Sequence, residues 1–439
     1  MSLPPTSAKI AFEEFLKELP PDHMEMAYEF KAFTRGRKIK TPAHLLQVVM
    51  LYCGLDQALR TCAGSFSLLE ERLTDTAIHK RLKSCGPWLK ALLQAMLPSA
   101  GTALNACRLL VVDGSSLQGP GSGGTDYRVH LALDLVNLTL HEMHATGADG
   151  AESLARYSWQ AGDIAMTDRG YNQPRVILEL GERQVRVIVR LVPTAMPLYL
   201  RQEGEGQFDP ESERLNMAEY LMGQTGDTVT MPVWLRSGAL SGQGWVHAAR
   251  LPPEAAEAAR RRCRQAAKRK GWTPSQDALY WAGWVMVFTT VPPDELDGPA
   301  VLAVYRRRWQ VELVFKRLKS LLGLDELRTR QKSVLGEVWI RGKLLYALVI
   351  ERLLHWQMGS DWNRMDRPRE ATPWRFLKIV RGQVDAWILD ASRWREENWP
   401  LCFDVVKERP RRRKLQKLPA QVITMMEIYE NQGRAIFAA

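Results

Sequence analysis

Residues 108–113 read RLLVVD, a run of mostly branched apolar side chains that ends in an aspartate and is followed by Gly114 and Ser115. Val and Leu at this density predict a buried β-strand, and the glycine predicts the turn that ends it. Two similar runs follow, YRVHLALDLV at 127–136 and LTLHEMHAT at 138–146, separated by Asn137 as in a hairpin. The sequence therefore predicts three antiparallel strands at the start of this region.

Downstream of the hairpin, apolar runs alternate with helical patterns. The predicted elements are a helix near 151–157, a strand ending in AMTD at 165–168, a helix at 174–182 and a strand VRVIVRLV at 185–192. Strands that alternate with helices indicate parallel crossovers. The order β-β-β-α-β-α-β thus predicts an α/β fold built on a mixed sheet.

The composition is that of a globular protein with an excess of positive charge. The 439 residues include 60 Lys and Arg against 49 Asp and Glu, for a net charge of +11, and 46% are hydrophobic. This balance excludes a wholly disordered chain and predicts a polyanionic partner, either nucleic acid or an anionic membrane surface.

Neither a membrane span nor a disulfide framework is predicted. The longest apolar stretch, residues 279–291, is too short to span a bilayer, and the N-terminus has no signal pattern. The six cysteines contain no C-x-x-C pair, which is typical of reduced thiols. We therefore expect a cytoplasmic, nucleoid-associated protein without a membrane partner.

Two aspartates, Asp113 and Asp168, each end a predicted strand and precede a turn that contains glycine. Reacting groups in α/β proteins gather at the carboxyl ends of strands, but aspartate is also a common turn residue. Either interpretation fits each aspartate taken alone. A catalytic site therefore requires a third group beside the two aspartates. Most charged residues are solvated, and the same is expected of the other acids in this region: Asp134, Glu142, Glu152 and Asp163.

The segment AVYRRRWQVELVFKRLKSLLG at 303–323 predicts a helix that supplies a third carboxylate. At about 100° per residue, Val311, Val314 and Leu318 lie on a face that can pack on a sheet. The neighbouring arc carries Tyr305, Arg308, Glu312, Lys316 and Lys319. Salt bridges within the helix explain why Glu312 stands between two cations. The remaining positive charge has no such partner, and this surplus indicates a bound polyanion.

Phosphodiester chemistry accounts for both the basic helix and the carboxylates. Two Asp and one Glu can hold two divalent cations that serve the attacking and leaving oxygens of phosphoryl transfer. Oxygen ligands suit Mg²⁺, with Mn²⁺ able to substitute, rather than zinc. Asp113, Asp168 and Glu312 are therefore predicted as metal ligands and catalytic residues.

The spacing Tyr305-x-x-Arg308-x-x-x-Glu312, followed after six residues by Lys319, resembles the Y-R-E-K signature of IS4-family DDE transposases. Trp309 also fits members of the Tn5 (IS50) type. The segments VVDG at 111–114 and TDRGY at 167–171 are similar to that family's first and second aspartate motifs. The resemblance covers roughly residues 105–330.

This resemblance implies an RNase H-like catalytic core, a mixed five-stranded sheet with helices and a β-rich insertion. In such a core the first and fourth strands run side by side, which would bring Asp113 and Asp168 together, with the helix of Glu312 nearby. It also implies DNA contacts, for which the candidates are Tyr305, Arg308, Lys319, Lys316, Arg169 and Trp284.

Trp284 stands where Tn5-type enzymes have a tryptophan that stacks on a base flipped out of the duplex. Stacking of this kind offsets the pairing energy that the base loses. In the apolar segment WAGWVMVFTTV, however, Trp284 is equally well explained as a buried strand residue. Both interpretations stay open from the sequence.

Composition and motifs together divide the chain into five segments. They are a helical N-terminal DNA-binding domain at 1–104, the first part of the core at 105–193, a β-rich insertion with a basic helix at 194–283, the second part of the core at 284–335 and a helical C-terminal region with a basic segment at 336–439. Helices at 41–52 and 74–83 fit a helix-turn-helix reader or a plain basic bundle. The basic helix at 253–270 is predicted either to contact phosphates or to be a surface helix that pairs with its own acidic N-terminus. The basic tail at 411–414 is predicted to be a nonspecific DNA arm or a disordered segment.

The resemblance predicts a DNA transposase that moves an insertion sequence by cut-and-paste. Its expected partners are transposon-end DNA with terminal inverted repeats, target DNA and a second copy of the chain in a synaptic homodimer. Two alternatives are a metal-dependent nuclease of the same fold that cuts without joining, and a DNA-binding relative that has lost activity.

Overall fold

The computed structural model describes residues 11–97, 108–202, 206–329, 333–359 and 373–407. These residues form one mixed sheet of nine strands: β1 (Leu109–Leu117), β2 (Tyr127–Asp134), β3 (Leu140–Gly147), β4 (Ile164–Thr167), β5 (Arg186–Arg190), β6 (Leu198–Leu200), β7 (Thr228–Ser237), β8 (Leu240–Arg250) and β9 (Trp284–Thr289). The order across the sheet is β3-β2-β1-β4-β5-β9-β8-β7-β6.

The strand pairing confirms the predicted change from antiparallel to parallel. β2 is antiparallel to both β1 and β3, whereas β4 is parallel to both β1 and β5. β6, β7 and β8, which lie in the predicted β-rich insertion, continue the same sheet through β9, so the described sheet has nine strands, and a five-stranded core within it stays a prediction. Pairing with β8 satisfies the backbone groups that β9 would otherwise expose at an open edge.

Helices cover the sheet and extend beyond it. Those in the described ranges are α1 (Ala11–Lys17), α2 (His23–Glu29), α3 (Pro42–Cys53), α4 (Leu59–Leu69), α5 (Asp75–Leu82), α6 (Gly86–Met96), α7 (Pro174–Glu182), α8 (Met217–Met222), α9 (Pro253–Arg269), α10 (Gln276–Trp281), α11 (Gly298–Tyr305), α12 (Trp309–Ser320), α13 (Val334–Met358), α14 (Pro373–Leu389) and α15 (Trp399–Val406).

Capping residues explain where several predicted helices begin. The Thr41 hydroxyl accepts a hydrogen bond from the backbone N–H of His44 at the start of α3, and Thr74 does the same for Ala77 at the start of α5. Each cap satisfies a backbone donor that lacks a partner in the first turn. The predicted helices at 41–52, 74–83 and 174–182 are thereby confirmed as α3, α5 and α7.

Two predicted helices differ from the structure. The helix expected near 151–157 is only a 3₁₀ turn at Leu154–Arg156, which the Ser153 hydroxyl caps locally. The helix expected at 303–323 is interrupted, because a 3₁₀ turn at Arg306–Arg308 separates α11 from α12. The interruption falls on three successive arginines, Arg306–Arg308.

Side chains alternate between two apolar cores along the central strands. Val111 of β1 and Met166 of β4 belong to the core beneath α12, whereas Leu110 and Val112 belong to the core on the opposite face. Since successive strand residues point to opposite faces, Asp113 shares the face of Val111. The α12 side of the sheet therefore receives the first candidate carboxylate.

The helices of the N-terminal and C-terminal segments pack together on the α12 side of the sheet. α13 contacts α3 and α6, and α14 contacts α1 and α3. Across the described ranges, no helix combines the length and apolar character needed to cross a bilayer. The basic tail at 411–414, predicted to contact DNA, lies outside the described residues.

Candidate active site

Strand pairing brings Asp113 and Asp168 to one edge of the sheet. The parallel register of β1 and β4 places Val111 beside Met166, and two residues further along each chain stand the two aspartates. Asp113 lies within β1, and Asp168 directly follows β4. Their juxtaposition follows from the parallel pairing of the first and fourth strands, as the sequence predicted.

Each aspartate also forms the local hydrogen bond expected of a turn residue. Asp113 Oδ1 accepts from the backbone N–H of Gly114 at 2.8 Å, and Asp168 Oδ1 accepts from that of Gly170 at 2.7 Å. These bonds orient the carboxylates at the strand ends. The turn interpretation and the catalytic interpretation are therefore compatible.

Glu312 approaches this edge on α12, but an arginine stands between it and Asp113. The apolar side of α12, formed by Val311, Val314 and Leu318, packs into the same core as β1. Arg308 contacts Asp113 Oδ2 through Nη1 at 3.4 Å and donates to Glu312 Oε1 through Nη2. The Arg308 side chain is only 17% exposed, whereas that of Glu312 is 56% exposed.

The environment of Asp113 disfavours its ionised form. Burial raises the pKa of Asp113 to about 6, and the nearby carboxylates Asp168 and Glu152 also raise it. The Gly114 N–H and Arg308 act in the opposite direction. A carboxyl group whose pKa is raised by burial and by neighbouring negative charges is typical of catalytic sites.

A cleft of about 520 Å³ opens beside Asp168 and is lined by cationic side chains. The guanidinium groups come from Arg169, Arg190, Arg250, Arg306 and Arg308, and Tyr305 and Trp309 add aromatic rings. Burial and repulsion from the other arginines lower the pKa of Arg190. Positive charge concentrated in a cleft attracts an anionic ligand such as a phosphate backbone.

The remaining predicted DNA contacts are distributed around this edge. Tyr305 lines the cleft, and burial raises the pKa of its phenol. Lys319 Nζ donates to the backbone oxygen of Ser116 on β1 at 3.1 Å, close to Asp113 in the chain. Lys316 instead lies over the ring of Trp374, with its ammonium 6.0 Å from the ring centroid. The structure thus places Tyr305 and Lys319 near the aspartates and Lys316 toward α14.

Trp284 is a buried strand residue in the structure, which was one of the two interpretations of this tryptophan. It begins β9, is 2% exposed and has the Arg250 guanidinium 4.5 Å above its ring. In this arrangement its ring face is covered and cannot stack on a base. Trp309, in contrast, is 45% exposed and lines the cleft.

The basic helix predicted in the insertion is α9, which begins directly after the cleft residue Pro252. Glu257 pairs with Arg260 and Arg264, so part of the charge is neutralised within the helix. Arg261 and Arg262 are exposed on its surface. Both sequence interpretations, internal pairing and a phosphate-binding surface, thus have a counterpart along α9.

Similar proteins belong to one functional class. The family described as "Transposase DDE domain" matches residues 107–348. The putative transposase InsL for insertion sequence element IS186A of Escherichia coli (strain K12) is 31% identical over 336 residues, covering 74% of this chain and 88% of the relative. The transposase for insertion sequence element IS421 of Escherichia coli is 32% identical over 337 residues, with the same coverage.

The chain belongs to the DDE transposase family. The predicted family is thereby confirmed, whereas the roles of Asp113, Asp168 and the residues of the Y-R-E-K spacing stay predictions. The narrower likeness to the Tn5 type stays a prediction. The matched region of this DDE transposase includes β1, β4, the cleft and α12.

The donor chemistry of this transposase site fits a hard divalent cation. Asp113 and Asp168 offer carboxylate oxygens at adjacent strand ends, which is the ligand type that Mg²⁺ and Mn²⁺ prefer. Glu312 does not join them, because Arg308 stands between the acids. Among the described residues, no three His, Cys, Asp or Glu side chains are grouped so as to hold a metal ion.

One carboxylate near the two aspartates was predicted from the sequence to be only a solvated acid. Glu152 lies against Gly114 and Gly170, the glycines that follow the two aspartates. The signal in the sequence was the presence of glycine within two residues of each aspartate. Glycine at such positions indicates that another group approaches the backbone closely.

Proposed function

We propose that this DDE transposase moves an insertion sequence by cut-and-paste. In this proposal it cleaves phosphodiesters at the terminal inverted repeats of the element and joins the resulting 3′ ends to target DNA. The supporting observation is the parallel pairing of β1 and β4, which sets Asp113 beside Asp168 at the mouth of a cationic cleft. Membership of the family supplies the chemistry that this arrangement would serve.

The proposed catalytic core is RNase H-like. Strands β1 to β5 follow the order β3-β2-β1-β4-β5, antiparallel at one side and parallel at the other, and this order supports the assignment. β6 to β9 then extend the core sheet, and Arg250 of β8 and Val285 of β9 line the cleft. The core and its extension would thus both contribute walls to the DNA-binding cleft.

Two Mg²⁺ ions, or Mn²⁺ in their place, would be held by Asp113, Asp168 and Glu312. Bound ions of this kind activate the attacking oxygen and stabilise the leaving oxygen. Arg308 and Arg169 would hold phosphates of the transposon end, since guanidinium groups bind phosphate bidentately. Tyr305 and Lys319 would orient the DNA backbone at the same edge.

The N-terminal helices are proposed to recognise the transposon end. α5 packs on α4 through Ile78 and Leu82 and presents the exposed side chains of Lys80 and Lys83. A helix with one buried face and one basic face can approach a DNA groove. Target DNA and a second copy of the chain, in a synaptic homodimer, complete the proposed assembly.

The deciding experiment compares the wild type with Glu312→Gln on DNA that carries the element's own ends, in Mg²⁺. The variant keeps the size and polarity of the side chain but removes its charge. We expect end cleavage and strand transfer in the wild type, and a loss of cleavage in the variant with DNA binding retained. Cleavage without joined products would indicate a nuclease, and binding without cleavage in Mg²⁺ or Mn²⁺ would indicate an inactive relative.

Arg308→Gln is expected to raise the Mn²⁺ affinity of the DNA-free protein by about tenfold, because charged hydrogen bonds of this kind contribute roughly 1.5–3 kcal/mol. In the structure Arg308 neutralises Asp113 and Glu312, so a cation must compete with it. Titration with Mn²⁺, followed by electron paramagnetic resonance, measures the affinity. Arg307→Gln, on the same turn but exposed, is the matched control and should leave it unchanged. An unchanged or weaker affinity for Arg308→Gln would contradict this account of the site.

A further inference from the structure

The connection between α2 and α3 concentrates positive charge at the protein surface. Five of the ten residues at 31–40 are Lys or Arg, and none is acidic. Residues 34–38, which we call the 34–38 loop, are all exposed. Phe33 before the loop and Ile39 after it are each 2% exposed and belong to the core beneath α12. The loop is therefore a basic surface turn whose two ends are anchored in the core.

A glycine between two arginines allows the 34–38 loop to turn tightly. The backbone N–H of Arg37 donates to the backbone oxygen of Ile39 at 3.1 Å. A Cβ added to Gly36 would stand 2.8 Å from the backbone oxygen of Lys40, so a side chain at this position requires the backbone to shift. Glycine is the residue that permits such a close approach of two backbone segments. The loop therefore holds Arg35 and Arg37 on a tight turn of fixed shape.

Contacts with α5 and the residues after it hold the loop beside this helix. Arg81 of α5 donates through Nη2 to the backbone oxygen of Arg35 at 2.8 Å, and its guanidinium lies 5.6 Å from the centre of the Phe33 ring. Ser84, two residues beyond α5, donates through its hydroxyl to the backbone oxygen of Ala32 at 3.2 Å. The 34–38 loop and α5 are therefore adjoining parts of one surface.

The cations of this surface differ in whether a protein group engages them. Lys40 pairs with Glu70 and Glu71, and Lys38 Nζ donates to the backbone oxygen of Arg72 at 2.8 Å. The other exposed cations of the loop and of the adjoining α5 segment form no ion pair with any residue that the structure describes: Arg35, Arg37, Lys80 and Lys83. Unpaired positive charge thus remains on both parts of the surface.

A plain connection between two helices accounts for the exposure of the loop but not for its charge. Like charges that a rigid turn keeps close together repel one another, and a bound anion removes this cost. Arginine binds phosphate through two parallel N–H groups. The DNA backbone presents phosphates at regular intervals along each strand, so one strand can engage more than one cation of the same surface.

We propose that the 34–38 loop binds the phosphate backbone of double-stranded DNA beside α5, with Arg35 and Arg37 as the phosphate-binding residues. The identity of this DNA as a transposon end rests on the proposed function, whereas binding of the backbone does not. Phosphate contacts position a protein on DNA, and base contacts specify the sequence. The loop therefore supplies affinity for DNA of any sequence, and discrimination between sequences comes from other residues.

The test is DNA binding by the full chain that carries both Arg35→Ala and Arg37→Ala, measured on a duplex with the element's own end and on an unrelated duplex of equal length. We expect both affinities to fall roughly 10- to 100-fold, and the slope of log affinity against log salt to become shallower by about 2. Arg175→Ala with Arg183→Ala is the matched control, because it removes the same charge from exposed positions at α7, on the opposite face of the sheet. Unchanged affinity and slope in the loop variant would overturn the proposal, and so would a loss confined to the element's own end.

A second variant changes the shape of the loop and keeps its charge. Gly36→Ala forces the turn away from the Lys40 backbone oxygen and is expected to weaken binding to both duplexes. Gly382→Ala is its control, since a Cβ at that exposed position of α14 meets nothing within 4 Å. Thermal unfolding of both variants separates a local change in the loop from a loss of folding. Wild-type affinity in Gly36→Ala would overturn the dependence of DNA binding on the fixed turn.

The same assays separate this proposal from the proposed function. Weaker binding by the Arg35→Ala, Arg37→Ala variant, together with a wild type that binds both duplexes equally and never cleaves its own ends, would support the loop and remove the transposition proposal. Cleavage of the ends by the wild type, with unchanged DNA affinity in the loop variant, would do the reverse.

Discussion

Asp113→Asn is expected to abolish DNA cleavage and at the same time to stabilise the folded protein at neutral pH. The activity loss should be roughly a thousandfold or more, as for removal of a residue that acts within a catalytic unit. The gain in stability has a separate cause. Folding buries Asp113 beside Asp168 and Glu152, whereas an asparagine carries no charge that must be buried.

The stabilising effect of Asp113→Asn is expected to increase as the pH rises. The pKa of Asp113 is about 6 in the folded chain against an ordinary value of 3.8, so folding disfavours its ionised form. The resulting cost is absent below about pH 4, where the carboxyl group is neutral in both states, and it grows to at most about 3 kcal/mol above pH 6. Asp113→Asn should therefore raise the free energy of unfolding by about 1–3 kcal/mol at pH 7.5 and have little effect at pH 4.

Urea denaturation at the two pH values measures this difference, and the end-cleavage assay measures activity. Asp134→Asn is a suitable control, because Asp134 Oδ2 accepts from Asn137 Nδ2 at 2.8 Å in the hairpin turn, and an amide nitrogen in its place cannot accept this bond. The Asp134→Asn substitution should lower the stability of the fold and leave DNA cleavage intact. A decrease in stability for Asp113→Asn at pH 7.5 would show that its hydrogen bonds outweigh the charge that it buries.

Asp56→Asn is expected to cause a large loss of stability. Lys343 of α13 is 1% exposed, and its Nζ donates to Asp56 Oδ2 at 2.5 Å and to the Gly54 backbone oxygen at 3.0 Å. Breaking a buried pair from one side leaves an uncompensated charge and costs about 3–5 kcal/mol. Asparagine tolerates the left-handed backbone of residue 56, which has φ 54°, so the loss reports the charge rather than strain.

The stability of Asp56→Asn should recover as the pH rises. Burial lowers the pKa of Lys343, and Asp56 opposes this shift. Without Asp56 the lysine loses its proton at lower pH in the folded chain than in the unfolded chain, so the cost is full near pH 7 and fades toward pH 10. Thermal unfolding across this range measures the recovery.

Removing both charges provides the control for this pair. The double variant Asp56→Asn with Lys343→Met should regain most of the lost stability, because a methionine fills the same space without a charge. Lys343→Met alone should cost less than Asp56→Asn, since the Asp56 side chain is 14% exposed and can be hydrated. Equal losses for all three variants would show that packing, and not charge, holds α13 to the loop after α3.

Much of the local structure was predictable because it depends on neighbouring residues. The apolar runs of β1 and β4, the threonine caps of α3 and α5, and the turn glycines are all read within a few positions. The Y-R-E-K spacing is likewise a local pattern, and the family match confirms the class of protein that it indicated. The predicted helix at 303–323 missed the 3₁₀ turn at Arg306–Arg308, which no local pattern in the sequence indicated.

The candidate site was predicted in part. Asp113 and Asp168 could be paired because β1 and β4 were expected to run side by side. Arg308 was assigned to DNA, and its spacing also predicted the helix salt bridge with Glu312 that the structure contains. Its contact with Asp113, which lies 195 residues away in the chain, has no local pattern that predicts it. Whether Trp284 is open or covered depends on Arg250, which lies on a different strand.

By itself, the sequence determined the strands and helices of the core, the placement of Asp113 and Asp168 at strand ends, and the basic helix that carries Glu312. Each of these follows from side-chain periodicity and turn chemistry over short distances. Only the tertiary structure decided that nine strands form one sheet, that Arg308 separates two acids, and that Glu152 lies against the glycines that follow Asp113 and Asp168. Those features depend on close contacts and charges between residues distant in the chain, which no local pattern records.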